Sequence, residues 1–238
     1  MQNTLDYWYK PDEVINNKYY LNWTKNSPQF EWLDKIPQKY NFKKKIKWKS
    51  LNIDIILVGN IDNNKIKRIE KYKYTSLLKS NLQKCIRRGL LNEALSTAKL
   101  MIKTDFIEFI RRLSIIILED TTLHCSIAII IWMISAYPEW QPCSNHIEWL
   151  LGVVKYITQN KYRDIYTKHT LNVRENIKII NKLNTKHMSL IYSLLFRISY
   201  GGMVSDMEMI QYFIKYWIEI FQKNKEFNVY DKIIPITD

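Results

Sequence analysis

Over residues 72–136 apolar positions recur with the 3.6-residue period of amphipathic helices, and four helices can be drawn. Leu78, Leu82, Cys85 and Ile86 fall at i, i+4, i+7 and i+8. That spacing predicts a helix over 76–88, with Gly89 where a left-handed C-terminal cap is wanted. Asn92 is the expected cap of a second helix that buries Ala94, Leu95, Ala98, Met101 and Ile102. Asp105 opens a third, with Glu108 at capping-box spacing and an i, i+4 Glu108–Arg112 pair; Phe106, Phe109, Ile110 and Leu113 turn inward. Residues 122–136 are almost wholly apolar, which predicts a helix at the centre of the domain.

The pattern continues more weakly. Asn145 and Glu148 are spaced as a capping box before a helix that buries Leu150, Val153, Val154 and Ile157. Residues 159–185 are polar and basic, with helical spacing at Val173, Ile177 and Ile180. Met188, Ile191, Leu194, Leu195 and Ile198 mark a helix over 186–200, stopped by Gly201-Gly202. Ser205 and Glu208 box a last helix carrying Ile210, Phe213, Ile214, Trp217 and Phe221; residues 224–238 read as a frayed tail. Residues 1–50 differ. They are dense in Tyr, Trp and Phe and broken by Pro11, Pro28 and Pro37, as an irregular arm or short helices would be. Residues 50–59 are the best strand candidate and can form a hairpin with 43–48. The expected fold is mainly α: a compact multi-helix bundle of about seven helices, an aromatic-rich N-terminal arm and one small β element. The expected divisions are an arm over 1–72, a helical domain over 73–223 and the tail.

Charge then narrows the partners. Thirty-six Lys and Arg against 23 Asp and Glu leave a net +13, which favours nucleic acid, an anionic membrane face or an acidic protein. The preference for Lys, Ile and Asn over Arg, Ala and Gly also fits an AT-rich coding genome, so part of the excess follows codon usage. On the first helix Lys79, Gln83 and Arg87 make one ridge, and Lys84 and Arg88 a second. These cations either form a solvated end that complements the helix dipole or contact phosphates. Lys43, Lys44, Lys45, Lys47 and Lys49 interleave with aromatics that would stack bases or pack the arm onto its own core. Arg111, Arg112, Glu119 and Asp120 flank or interrupt apolar sequence. Charges kept there should be paired, within the chain to fix helix register or between subunits, with a metal or catalytic carboxylate site as the remaining alternative.

Other chemistry is thin. Three cysteines at unpatterned positions argue for reduced thiols and an intracellular protein, and the first residues are not those of a signal peptide. The longest apolar run is short for a bilayer, so no membrane is expected. His124, Cys125, Cys143 and His146 can be drawn as a zinc set, but their spacing is poor for structural zinc. Asp54 has no identifiable partner carboxylates for a nuclease metal. No metal, no cofactor and no catalytic constellation are expected.

SLLKSNLQKCIRRGLLNEALSTAKLMI followed by FIRRLSIIILED resembles the helical region after the ATPase module in the replication-associated recombination protein A family, which includes the Werner-helicase-interacting ATPases. The matching positions are Lys79, Ser80, Lys84, Arg87, Arg88, Ala94, Ala98, Arg111, Arg112, Leu113, Glu119 and Asp120, over about a quarter of the chain. There is no G-x-x-x-x-G-K-[ST] loop, so no ATPase is implied, and Thr121-Thr122 stand where the family has a glycine. The resemblance implies a clamp-loader-collar-like bundle that self-associates at sites of DNA replication, recombination or repair, nuclear or cytoplasmic. It would bind DNA or an acidic protein without being an enzyme. The alternative is a protein-interaction scaffold, of a large DNA virus or mobile element, that binds no nucleic acid directly.

Overall fold

The computed structural model describes residues 17–24, 27–48, 51–59, 74–160, 162–164, 180–199, 203–229 and 231–236. Among them are four strands, β1 (Lys18–Thr24), β2 (Ser27–Leu33), β3 (Phe42–Trp48) and β4 (Leu51–Gly59). Seven helices follow: α1 (Thr75–Arg87), α2 (Leu91–Thr104), α3 (Phe106–Asp120), α4 (Ser126–Ala136), α5 (Ser144–Gln159), α6 (Thr185–Ser199) and α7 (Val204–Lys223). The protein is mainly α, but its β part is a four-stranded sheet of order β2-β1-β4-β3 rather than one small element. The expected β3–β4 hairpin forms, antiparallel, with Lys45 opposite Asp54. The helical spacing at Val173 and Ile177 and the Gly201-Gly202 stop lie outside the described residues.

The chain divides into two compact units. The first gathers β1 to Asn22, β2 from Gln29, β3, β4 to Val58, α6 and α7. Its aromatics explain why residues expected as an irregular arm form two further strands. Tyr19 and Leu21 are buried while Tyr20 and Asn22 are half-buried, the period-two alternation of a strand with one covered face. Tyr19 stacks on Trp32 at 4.5 Å and meets Phe196 of α6 edge-on at 5.9 Å. The Trp32 indole N–H donates to Ser193 Oγ at 3.1 Å and its backbone N–H to Ser189 Oγ at 3.2 Å, so α6 satisfies the polar groups of the ring it covers. Pro28 is tolerated because β2 is an edge strand and Pro28 lies at its start. Asn184 caps α6, its Oδ1 accepting from the His187 N–H at 2.9 Å. The His187 ring stacks on Phe221 of α7 at 3.8 Å, and its Nε2 meets the Phe227 carbonyl at 3.0 Å, which requires the proton on Nε2.

The second unit holds Trp23–Pro28, α1–α5 and residues 231–236. Leu82, Cys85 and Ile86 of α1 are buried as the spacing predicts. The helix ends in a paired reverse turn: Gly89 N–H bonds Ile86 O at 3.0 Å and Leu90 N–H bonds Cys85 O at 2.9 Å, with Gly89 at φ 70°. A Cβ there would meet only the Thr158 carbonyl at ordinary contact distance, so left-handed backbone strain alone disfavours a side chain. Gly89→Ala is expected to lower stability by about 1–2 kcal/mol, read as a shift in urea midpoint at unchanged m-value. The turn also makes Leu90 the flanking residue of α2, so Asn92 sits inside the helix and does not cap it.

Other caps are partly as expected. Asp105 accepts from the Glu108 N–H at 3.3 Å and opens α3. α4 starts at Ser126, later than expected, because residues 121–125 are pinned as a loop. There Leu123 N–H donates to Asp164 Oδ2 at 2.8 Å, and His124 Nδ1 accepts from the Ser126 N–H at 3.1 Å. Every residue of α4 is buried. α5 is capped by Cys143 and His146 rather than by Asn145 and Glu148, the Cys143 N–H donating to His146 Nδ1 at 3.0 Å. The expected Ser205 cap of α7 is likewise displaced, since Met203 flanks that helix. Residues 231–236, within the segment expected to fray, lie on α5: Ile233 is buried, Ile236 N–H donates to Glu148 O at 3.0 Å, and a Cβ on Gly152 would overlap the Ile234 carbonyl. Among the described residues no helix is long and apolar enough to cross a membrane.

Candidate nucleic-acid interface

The first set of cations lies on α1. Residues four apart share a helix face, so Lys79, Gln83 and Arg87 do form a ridge, but it faces α3. Lys79 Nζ donates to Glu108 Oε2 at 2.7 Å. Gln83 Nε2 donates to Glu119 Oε2 at 2.7 Å and Asp120 Oδ2 at 2.8 Å. Arg87 forks onto Asp120, Nε to Oδ1 at 2.7 Å and Nη2 to Oδ2 at 3.2 Å, with Glu119 Oε1 at 3.5 Å. The Asp120 carboxylate is 1% exposed and the Arg87 side chain 51%. The hydrogen bond that Arg87 donates to Asp120 is the main cause that raises the Arg87 pKa further, and the one that Lys79 donates to Glu108 holds that carboxyl below the usual range.

Two helix ridges of opposite charge are therefore matched in chain order, Lys79 with Glu108 and Arg87 with Glu119 and Asp120. The acidic pair meets α1, not Arg111 or Arg112. Arg111 approaches Glu108 at 3.6 Å, and among the described residues no carboxylate pairs with the half-buried Arg112. The sequence shows that each set shares a helix face, Glu108 and Glu119 eleven residues apart and Lys79 and Arg87 eight apart, but not that the two faces meet. Lys84 and Arg88 lie on the second ridge and are exposed.

The second set lies on β3, an edge of the sheet. Lys43, Lys45 and Lys47 are exposed and alternate with the half-buried Phe42, Lys44 and Ile46. Lys43 Nζ reaches Asp54 Oδ2 on β4 at 3.3 Å, a diagonal cross-strand pair. Asp54 is otherwise enclosed: Ile53, Ile55, Ile56 and Leu57 are all buried around it. Lys49 lies outside the described residues.

His124, Cys143 and His146 make contacts within the second unit. His124 Nδ1 contacts Ser126 and its Nε2 the Asp231 carbonyl at 2.9 Å, while Tyr156 donates to Asp231 Oδ2 at 3.0 Å. Cys143 Sγ lies 2.8 Å from His146 Nδ1, both buried. Burial pushes the His146 imidazole down to about 3, so it is neutral. Among the described residues no three His, Cys, Asp or Glu side chains converge to hold a metal. Compared with family models, curated proteins and solved structures, the chain matches none.

Proposed function

We propose that this chain is a non-enzymatic accessory module that binds nucleic acid through exposed lysines. The supporting observation is β3, where Lys43, Lys45 and Lys47 stand exposed at every second residue and Asp54 offsets only the first of them among the described residues. Lys84 and Arg88 are a further exposed pair at the end of α1. Edge lysines also deter strand-to-strand aggregation, so the test must separate protection from binding. DNA as the polyanion, self-association and a place in replication, recombination or repair rest on the resemblance of residues 76–120 to a collar.

Retention on immobilised DNA over a salt series provides the test. Each lysine that neutralises a phosphate adds about 0.7–0.9 to the slope of log affinity against log salt. The double variant Lys45→Glu, Lys47→Glu is expected to lower that slope by about 2 without moving the thermal midpoint. An unchanged slope would remove β3 from the interface. The scaffold alternative draws on Tyr74 and Leu77, 54% and 62% exposed one turn apart at the start of α1. It predicts a protein complex that survives high salt and is lost on Leu77→Asp.

A further inference from the structure

The loop between β2 and β3 adds exposed lysines and an exposed aromatic ring next to β3 in the chain. Lys35 and Lys39 are exposed, so five exposed lysines fall between residues 35 and 47. Tyr40, two residues before β3, leaves 49% of its surface in water. Tyr19 and Trp32 of the same unit are by contrast buried and stacked on each other.

What this combination fits depends on how bases are presented. A duplex keeps its bases stacked inside and offers phosphates and groove edges, so it gives an isolated surface ring nothing to stack on. A single strand exposes base faces beside its phosphates, and base–aromatic stacking is tolerant of sequence. A strand also sets lysines on one side about 6.7 Å apart in a straight row, which suits an extended backbone lying along it. We infer that β3 and its preceding loop bind single-stranded nucleic acid, with phosphates along Lys43, Lys45 and Lys47 and a base stacked on Tyr40. This inference rests on the nucleic-acid role proposed above and deepens it.

Fluorescence anisotropy with a labelled oligothymidylate and a duplex of equal length, each over a salt series, tests it. The single strand is expected to bind at least tenfold more tightly than the duplex. Tyr40→Ala should weaken single-strand binding about tenfold at unchanged salt slope, and Tyr40→Phe, which keeps the ring, should retain it. An unchanged thermal midpoint in Tyr40→Ala excludes a folding defect. Equal affinity for the two forms, or a Tyr40→Ala variant that binds as the parent does, overturns the single-strand assignment while the charge-based role stands. Salt-independent or absent binding to both forms overturns that role as well.

Discussion

Between pH 6.5 and 4.5 the second unit is expected to lose about 2–3 kcal/mol of stability through His146 alone. Its ordinary value is 6.5, and burial takes the folded-state value to about 3. Nδ1 is occupied by the Cys143 N–H, and Nε2 is buried with no hydrogen-bond partner among the described residues. The ring is wedged against Trp23 at 4.3 Å and Trp140 at 4.9 Å. A second proton would set an N–H against the Cys143 N–H and place a charge among indoles. The unfolded chain takes up that proton as pH falls below 6.5 and the folded chain does not, so the stability present above 6.5 drains away toward pH 3. Burial of His124 and His187 lowers their values too and acts in the same direction. Glu108, whose ordinary value is 4.5, contributes only below this window. His146→Gln keeps an acceptor at the capping position but does not titrate. Urea midpoints at pH 7 and 4.5 should converge by about 2–3 kcal/mol in that variant relative to the parent. An equal acid loss in both would show that His146 does not carry it.

Arg87→Glu is expected to cost about 2–3 kcal/mol, and Arg88→Glu, one residue on, less than about 0.5 kcal/mol. Asp120 is almost fully covered and depends on the Arg87 fork and Gln83. Removing a partner from a fully buried pair costs about 3–5 kcal/mol; Arg87 is half exposed, so solvent screening reduces that figure. The new carboxylate would then face Glu119 and Asp120 together. Arg87→Ala with Asp120→Asn should recover most of the loss, since neither charge is left unpaired. Chemical denaturation of the three variants checks this, and equal losses at positions 87 and 88 would refute the ridge pairing. The result governs how nucleic-acid binding is probed. Loss of affinity in Arg87 variants would report a weakened fold, whereas Lys84 and Arg88 can be reversed with the fold intact.

Much of the helical fold is written in local pattern. The inward faces of α1 and α3, the Gly89 turn and the Asp105 cap follow from apolar period and backbone propensity, which act over a few residues and need no tertiary partner. Where several residues near a helix start can serve, pattern alone misplaces the cap. Asn92, Asn145 and Ser205 are good capping residues displaced by neighbours, in α5 because His146 folds back onto the Cys143 N–H inside a tryptophan cluster. β1 and β2 are obscured by their dense aromatics and by Pro28 in β2, although Tyr19 and Leu21 alternate with less buried neighbours.

The candidate interface divides along the same line. That residues 43–47 and 79–88 are basic, and which of them share a helix or strand face, is set by their order in the chain. Whether a given cation meets water or a carboxylate depends on which ridge of another helix lies against it. Periodicity holds no information about rotation between helices far apart in the chain. Only the packing of α1 on α3 turned Lys79 and Arg87 inward to Glu108 and Asp120 and left Lys84 and Arg88 outside.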